Sequence, residues 1–590
     1  MDSIKLNETQ NEEGEFLRAI EISRVKKNEC IAVNIEGQRV LFINDNDKIY
    51  ALDNRCPHMG FPLDKGSVKD GILTCHWHDA RFDVCSGGTF DLFADDVESY
   101  PVKILDKDIW INLKPGKDVV KHQTNRLKVG LEQNISLIIG KAVIELLANG
   151  VDPIEPFKIG IDFGVQFRRN GWGDGLTILT SLMNMWSYLK PEDRPKALFH
   201  GLSAVARDTS GQPPVFPIGA LPSIDAEMEK LRQWFRHFVE IHNAEGAERC
   251  LASAIKGGVA QEKIADMLFA AATDHRFMDE GHLIDFTNKA LETLDLIGWD
   301  RAEKVLTSLI PMYNSASRAE DQGSWRTPVD LVELLDSAFE KIDRALETGK
   351  EQRGVWDNQD HLVSVLAGDD PKLLIDELLQ ALRQGITEHE IARIVAYATA
   401  LRIAHFHTVN EFPDWDDTHH AFTYSNAVHQ AMVRAPSVEL LRAVFDGAIF
   451  NYLNRFLNIP SAPLPKIKED DLTENQQFAN AFFDLLNKHE QVNQAGKLVA
   501  LYLDRDTDFE VILSSIGGGL LREDRNFHSI QIVEAAFQQY KLLEGSEEGS
   551  NVLVAAARFL AAHSPTRRAQ GQTYEIANKL FRGDKIYESE

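Results

Sequence analysis

Cysteine, long apolar runs and basic charge are all in short supply in this 590-residue chain. The five cysteines, Cys30, Cys56, Cys75, Cys85 and Cys250, are too few for a disulfide framework and argue for metal or redox use of a subset. No apolar run approaches the roughly 20 residues of a membrane span. With 63 Lys/Arg against 90 Asp/Glu the net charge is −27, which opposes binding to phosphate backbones. Nucleic acid and membrane are not expected as partners. The stretch "MDSIKLNETQNEEGEF" is polar and acidic and lacks the basic and apolar regions of a signal peptide, so a cytoplasmic location is expected. No G-x-G-x-x-G precedes a helical pattern, so a dinucleotide site is not expected either.

What is present divides in two. From Phe16 to Leu113 short segments alternate apolar and polar residues and break at Glu36-Gly37, at Asn44 to Asp47 and at Asp106 to Asp108, the pattern of hairpins in a small antiparallel β-domain. Beyond "KPGKDVVKHQTNR" the period lengthens to i, i+3, i+4, i+7, as in "NISLIIGKAVIELLANG" and "SVELLRAVFDGAIFNYLNRFL", which is helical. The expected organisation is multidomain α+β: residues 1–115 a β-domain, 116–125 a linker and 126–590 all α. "LASAIKGGVAQEKIADMLFAAA" and "LLQALRQGITEHEIARIVAYAT" share a helix, a glycine stop, a polar turn and a restarting Ile-Ala. With two looser copies they predict four tandem helical units, about 130–215, 235–318, 360–457 and 475–566. Three of the four carry a histidine at one helix start, His282, His420 and His528, where the first has Gly175.

The chemistry is concentrated in "CPHMGFPLDKGSVKDGILTCHWH". Cys56 and His58 form one run, and Cys75 and His78 another, sixteen residues apart. A zinc finger pairs its cysteines in one knuckle and its histidines in a helix. Here each loop supplies one of each, which suits a two-iron cluster with both thiolates on one iron and both imidazoles on the other; a closed zinc site is the alternative for the same four residues. With "FDVCSGG" and "VESYPVKILDKDIWINL", residues 16–113 resemble the ferredoxin-type Rieske domains of bacterial ring-hydroxylating dioxygenase systems and the small subunit of assimilatory nitrite reductases.

The resemblance implies a [2Fe–2S] cluster with Cys56 and Cys75 on one iron, His58 and His78 on the other, and single electrons received from an external reductase. It also implies that Pro57 and Trp77 shape the ligand loops and that Gly87-Gly88 allow a turn beside the cluster. This sequence departs from the pattern at His76, where proline is usual, and Asp79, where glycine is usual. The two make the second loop more polar and are expected to lower the potential or couple it to proton uptake. Cys85 does not stand where respiratory Rieske proteins place a bridging cysteine, so no clamp is expected, and Cys30 and Cys85 read as small buried residues.

The helical part lacks the D-x2-H-x4-H segment of Rieske oxygenases; Asp416-Asp417-Thr418-His419-His420 comes nearest. Its histidines nevertheless cluster among acids, His275 and His282 in one segment and His405, His407, His419 and His420 in another. A second non-heme iron held by two histidines and a carboxylate needs such residues, and the repeat pattern makes His282 and His420 the equivalent catalytic candidates. "GITEHEIA" resembles carboxymuconolactone decarboxylase and alkylhydroperoxidase-like families, without their C-x-x-C pair; "THHAFTYSNAVHQAM" and "LFHGLSAVA" resemble questin-oxidase-like oxygenases. The expected function is transfer of single electrons to an oxygenase or oxidoreductase step on a small molecule. The alternative is a non-enzymatic carrier or redox sensor whose helices are a docking scaffold.

Overall fold

A computed structural model describes residues 16–114, 118–222, 227–467, 477–504, 509–543, 545–584 and 586. The N-terminal stretch that bears on targeting and the turn at 505–508 of the fourth expected unit lie outside the described residues. The chain divides into two compact units, one of residues 1–152 with 572–590, the other of residues 153–571.

In the first unit ten strands, β1 (Leu17–Glu21), β2 (Cys30–Ile35), β3 (Gln38–Asp45), β4 (Lys48–Asp53), β5 (Ser67–Lys69), β6 (Ile72–Thr74), β7 (Arg81–Asp83), β8 (Ser99–Tyr100), β9 (Val102–Leu105) and β10 (Asp108–Ile111), form three antiparallel sheets. Their orders are β1-β10-β9, β2-β3-β4-β8 and β5-β6-β7. The expected turns are where the backbone turns left-handed: Glu36-Gly37 joins β2 to β3 and Asn46-Asp47 joins β3 to β4, with positive φ at all four residues. Two-residue turns of that hand match strand twist.

β3 is buried on both faces. Leu41 and Ile43 enter one core with Leu52, Leu73 and Phe82, while Val40 and Phe42 enter a second with Ile109 and Ile111. The side-chain period of two sends alternate residues to opposite cores.

The expected linker is not a loop: residues 119–125 open a helix, Val119–Glu132, whose N-cap Asp118 accepts from the Lys121 N–H. A polar stretch was read as connection because only one helical face is apolar, Leu127 and Leu131 being buried. This helix and the next, Ser136–Ala148, belong to the first unit. His122 Nε2 lies 3.0 Å and Arg126 Nε 3.1 Å from Asp95 Oδ1, fastening the first helix to the β-domain. The division at 152/153 falls inside the first expected repeat, 130–215.

The regular secondary structure of the second unit's described residues is all helical. The third helix of each expected repeat, Asp174–Asn184, His282–Ile297, Phe412–Arg434 and Phe527–Leu542, packs against the next, and the last returns to the first, closing a ring. A buried ion cluster clasps three of them. Lys289 Nζ lies 2.8 Å from Glu292 Oε2 and 2.7 Å from Glu534 Oε2, and Asn184 Nδ2 donates to both glutamates at 2.7 and 2.9 Å. No helix of the described residues is long and apolar enough to cross a membrane.

Candidate metal centres

The Cys56 and Cys75 loops, after β4 and β6, are built alike. In each the cysteine N–H donates to the carbonyl five residues on, Cys56 to Phe61 and Cys75 to Ala80, both at 2.9 Å. Each cysteine carbonyl accepts from the residue four on, Gly60 at 2.7 Å and Asp79 at 3.0 Å. That fourth residue is left-handed in both loops, with φ +79° at Gly60 and +59° at Asp79. Glycine is indifferent to this conformation and aspartate is among the few other residues that tolerate it. The unusual residue at 79 thus meets the same backbone demand that glycine meets at 60. His76, the other departure, turns outward and pairs its Nε2 with Ser67 Oγ at 2.9 Å.

The same turns aim N–H groups at sulfur. Backbone donors of His58 and Met59 reach Cys56, and those of Trp77 and His78 reach Cys75, which favours thiolate. The two buried thiols also hydrogen-bond to each other, pushing Cys56 up and drawing Cys75 down.

His58 and His78 meet with ring centroids 4.9 Å apart at 78°. Burial, then the neighbouring His78 and Lys141, lower the His58 imidazole to about 4, so it is neutral and its lone pairs are available. Its Nδ1 is enclosed with no hydrogen-bond partner among the described residues. Two sulfurs already supplied with donors and two converging imidazoles, one with an orphaned nitrogen, fit an asymmetrically ligated two-iron cluster. Trp77 packs 4.5 Å from His78 and Phe93 4.9 Å from His58, giving the histidine side an aromatic wall. At Gly87 (φ +74°) a Cβ would stand 2.0 Å from the Val97 carbonyl, so this glycine, and not Gly88, is the one the turn requires. All five cysteines are free; Cys85, expected buried, is exposed on that turn, and Cys30 is half-buried.

Two supports were not read from the sequence. Lys141, the lone cation of an apolar helix, is half-buried beneath the first loop, where its ammonium donates to the carbonyls of Pro57 and His58. Burial lowers it to about 8. Arg55 donates to the Leu580 and Asp584 carbonyls at 2.7 and 2.8 Å, tying the residue before Cys56 to the C-terminal segment of the same unit.

In the second unit the predicted pair comes together. His282 and His420 lie 4.9 Å apart by ring centroid, and His528, singled out only as a repeat position, lies 4.9 Å from His420 and 5.9 Å from His282. The other clustered histidines go elsewhere. His275 sits between Glu240 and Glu320 at 2.5 and 2.6 Å, and His405 faces the Ala462 carbonyl. His407 accepts from the Val409 N–H. His419 adjoins the trio, its centroid 4.5 Å from His420.

Residues 15–101 match the family described as the Rieske [2Fe-2S] domain. The ferredoxin component of the naphthalene 1,2-dioxygenase system of Pseudomonas putida is 28% identical over 99 residues, 17% of this chain and 95% of that protein. Apoptosis-inducing factor 3 of Homo sapiens is 28% identical over 165 residues, 28% of this chain, and the chain spans only 25% of that relative. Among solved structures, the ferredoxin of carbazole 1,9a-dioxygenase from Nocardioides aromaticivorans IC177 is 27% identical, with 17% of this chain and 98% of that one covered and a TM-score of 0.16. With the two matched ligand loops inside the aligned segment, residues 15–101 of this chain are a Rieske [2Fe-2S] domain, the small antiparallel fold that carries a two-iron cluster.

Proposed function

We propose that the chain takes single electrons from an external reductase and passes them to a chemical step in its own helical part, an oxygenase or related oxidoreductase reaction on a small molecule. The observation that carries this reading is the matched pair of loops, in which Cys56 and Cys75 receive backbone N–H groups while His58 and His78 converge beside them. These four residues would hold the cluster, which supplies reversible one-electron storage at a potential raised by two neutral ligands. The chain's residues orient and tune it. Lys141 pins the first loop through two carbonyls, and its cationic charge favours the reduced form.

Two features support a reaction in the helical part rather than a carrier alone. Fusion raises the effective concentration of donor for acceptor, and the equivalent candidates, half-buried His282 and buried His420, come together with ring centroids 4.9 Å apart. A ring of third helices is what four repeated units would build, which favours the repeat reading.

Iron and acid-labile sulfide analysis with electron paramagnetic resonance of the full chain tests the assignment. A reduced sample with the rhombic signal of a histidine-ligated [2Fe–2S] cluster, lost in Cys75→Ser and altered in His78→Cys, is the expected result. Unchanged signals in both variants would refute the ligand set. Electron delivery is tested by photoreducing the cluster and following its reoxidation by dioxygen. His420→Ala should slow reoxidation without changing the signal, and equal rates would remove the helical part as acceptor.

A further inference from the structure

The three histidines at the head of the helix ring can be followed nitrogen by nitrogen. One nitrogen from each of His282, His420 and His528 lies within 4.8 Å of the others. The His282 Nδ1 is 3.0 Å from Asp285 Oδ2, which leaves Nε2 with its lone pair directed inward. The His528 Nδ1 faces Asp416 Oδ1 at 3.6 Å, again leaving Nε2. His420 is 8% exposed, and its Nε2 is enclosed without a hydrogen-bond partner among the described residues.

Unmet nitrogens at this density are costly. Of the three, the His420 Nε2 is the buried one, and a buried polar atom left unsatisfied costs about 1–3 kcal/mol; no hydrogen bond joins the three rings among the described residues. Two other buried histidines of the unit find partners, while His200 Nε2, enclosed in the same way, belongs to no group of three possible ligands among the described residues. His429 pairs with His389 at 3.1 Å and with Gln539 at 3.2 Å. His419 has both nitrogens engaged, one with the Asp416 carbonyl at 3.0 Å and one with Gln531 Oε1 at 3.4 Å. That engagement also favours His282–His420–His528 over the overlapping trio of Asp416, His419 and His528.

The backbone invests in placing His282. Phe277, Asp279, Glu280 and Gly281, all within five residues ahead of it, have φ of +42°, +52°, +56° and +93°. Non-glycine residues held there cost on the order of 1–3 kcal/mol each, and such strain concentrates at ligand and active sites.

We propose that His282, His420 and His528 form a three-nitrogen site for a first-row divalent metal ion, iron(II) in particular, with Asp285 orienting His282 and Asp416 supplying negative charge beside His528. Carboxylate partners on the remote ring nitrogens fix tautomer and direction, as outer partners of metal-bound histidines do. Imidazole ligands suit iron, zinc, copper and nickel. Iron is favoured because a one-electron donor domain has use for a metal that changes oxidation state.

The fourth side of the ring supplies no imidazole. At the corresponding helix start stand Asp174 and Gly175, and a Cβ at Gly175 would crowd the Ala204 carbonyl at 2.9 Å. Three protein ligands with one side open describe a site for exchangeable ligand rather than a closed structural one. Phe286 and Phe527, each 5.3 Å from the His282 ring, give that region apolar walls.

The three-histidine site stands on its geometry, its assignment to iron rests on the electron-transfer reading, and the test separates the two. Full chain purified anaerobically is titrated with iron(II) alone, and separately with cobalt(II) alone. The expected stoichiometry is one metal beyond the two irons matched by sulfide. Cobalt should give visible ligand-field bands, and bound metal should raise the melting temperature of the helical unit. His420→Gln and His528→Gln should weaken binding at least about 100-fold and Asp285→Asn about 10–100-fold, each leaving the Rieske signal unchanged. If a histidine variant does not fold, Asp285→Asn and His282→Gln decide the question by the same titration. No metal beyond the cluster irons in the parent protein, or binding undiminished in the variants that fold, would overturn the site. A Rieske signal lost in the parent while the cobalt bands persist would count against the electron-transfer reading and in favour of this site.

Discussion

Replacing Lys289 by methionine leaves a carboxylate with no cation in the middle of the helix ring. Lys289 and Glu534 are 2% and 1% exposed, so water does not take the place of the lost ammonium, and neutral amides, Asn184 at 2.9 Å and Gln538 at 3.2 Å, are the donors left to Glu534. Breaking a buried pair by removing one partner costs about 3–5 kcal/mol. Burial already holds the Glu534 carboxyl above its usual range, and removal of the cation raises it further. A carboxyl raised in the folded state costs nothing below its unfolded value and progressively more above it, until pH passes the folded value. The deficit of Lys289→Met should therefore be smallest in acid, grow as pH rises above glutamate's ordinary value of about 4.3, and be largest at pH 8. Urea unfolding read by proteolysis of the helical unit, for parent, Lys289→Met and Lys289→Met/Glu534→Gln, measures it. The double variant should recover most of the loss at pH 8. A single variant within about 1 kcal/mol of the parent at pH 8, or a deficit that does not shrink in acid, would refute the reasoning.

Further outcomes follow from the first unit and from His275. Lys141→Met removes a half-buried cation from beneath the ligand loop; about 1–2 kcal/mol of charge interaction at an effective dielectric near 20 corresponds to roughly 40–90 mV. A redox titration should show the potential falling by that amount; an unchanged or higher potential would contradict it. Asp79→Ala should destabilise the second ligand loop by about 1 kcal/mol while Asp79→Gly leaves it at least as stable, read as the rate of cluster bleaching under mild denaturant. His275 is raised by its hydrogen bond to Glu320, against burial, with Glu240 adding to the rise. Its stabilisation is complete below the ordinary imidazole value of about 6.5 and is lost as pH rises through the folded value. After allowance for solvent screening, His275→Gln should cost about 1 kcal/mol at pH 5.5 and nothing measurable at pH 9 in the same urea assay.

The β-domain was legible because its signals are local. Turn residues such as Glu36-Gly37 carry their own backbone demand, and Cys56-x-His58 and Cys75-x-x-His78 sit within single loops. Lys141 was legible only in hindsight, as one charge in an otherwise apolar helix, since its target lies some eighty residues earlier. The stretch at 119–125 was misread because a helix with one apolar face and a polar remainder resembles a linker when its partner, Asp95, is distant in sequence. In the helical part, the shared helix-start pattern was enough to pair His282 with His420. His528 was seen there too, but nothing local distinguishes an imidazole aimed at a common point from one at a surface. His405 and His407 showed the same composition and joined nothing, because direction is set by packing and not by neighbours in the chain.

The closed ring of third helices also sets a schedule. Its members begin at residues 174, 282, 412 and 527, so the histidine trio cannot exist until the last of them has left the ribosome and found the first. Long-range closure of this kind is slow compared with local helix formation, and N-terminal domains are completed earlier during synthesis. The four cluster ligands are synthesised hundreds of residues before that closure, although the segment that Arg55 holds at Leu580 and Asp584 follows both, so the two ligand sets become complete at different times. A ribosome-bound chain arrested before residue 527 would carry the first centre's complete ligand set and two thirds of the second's.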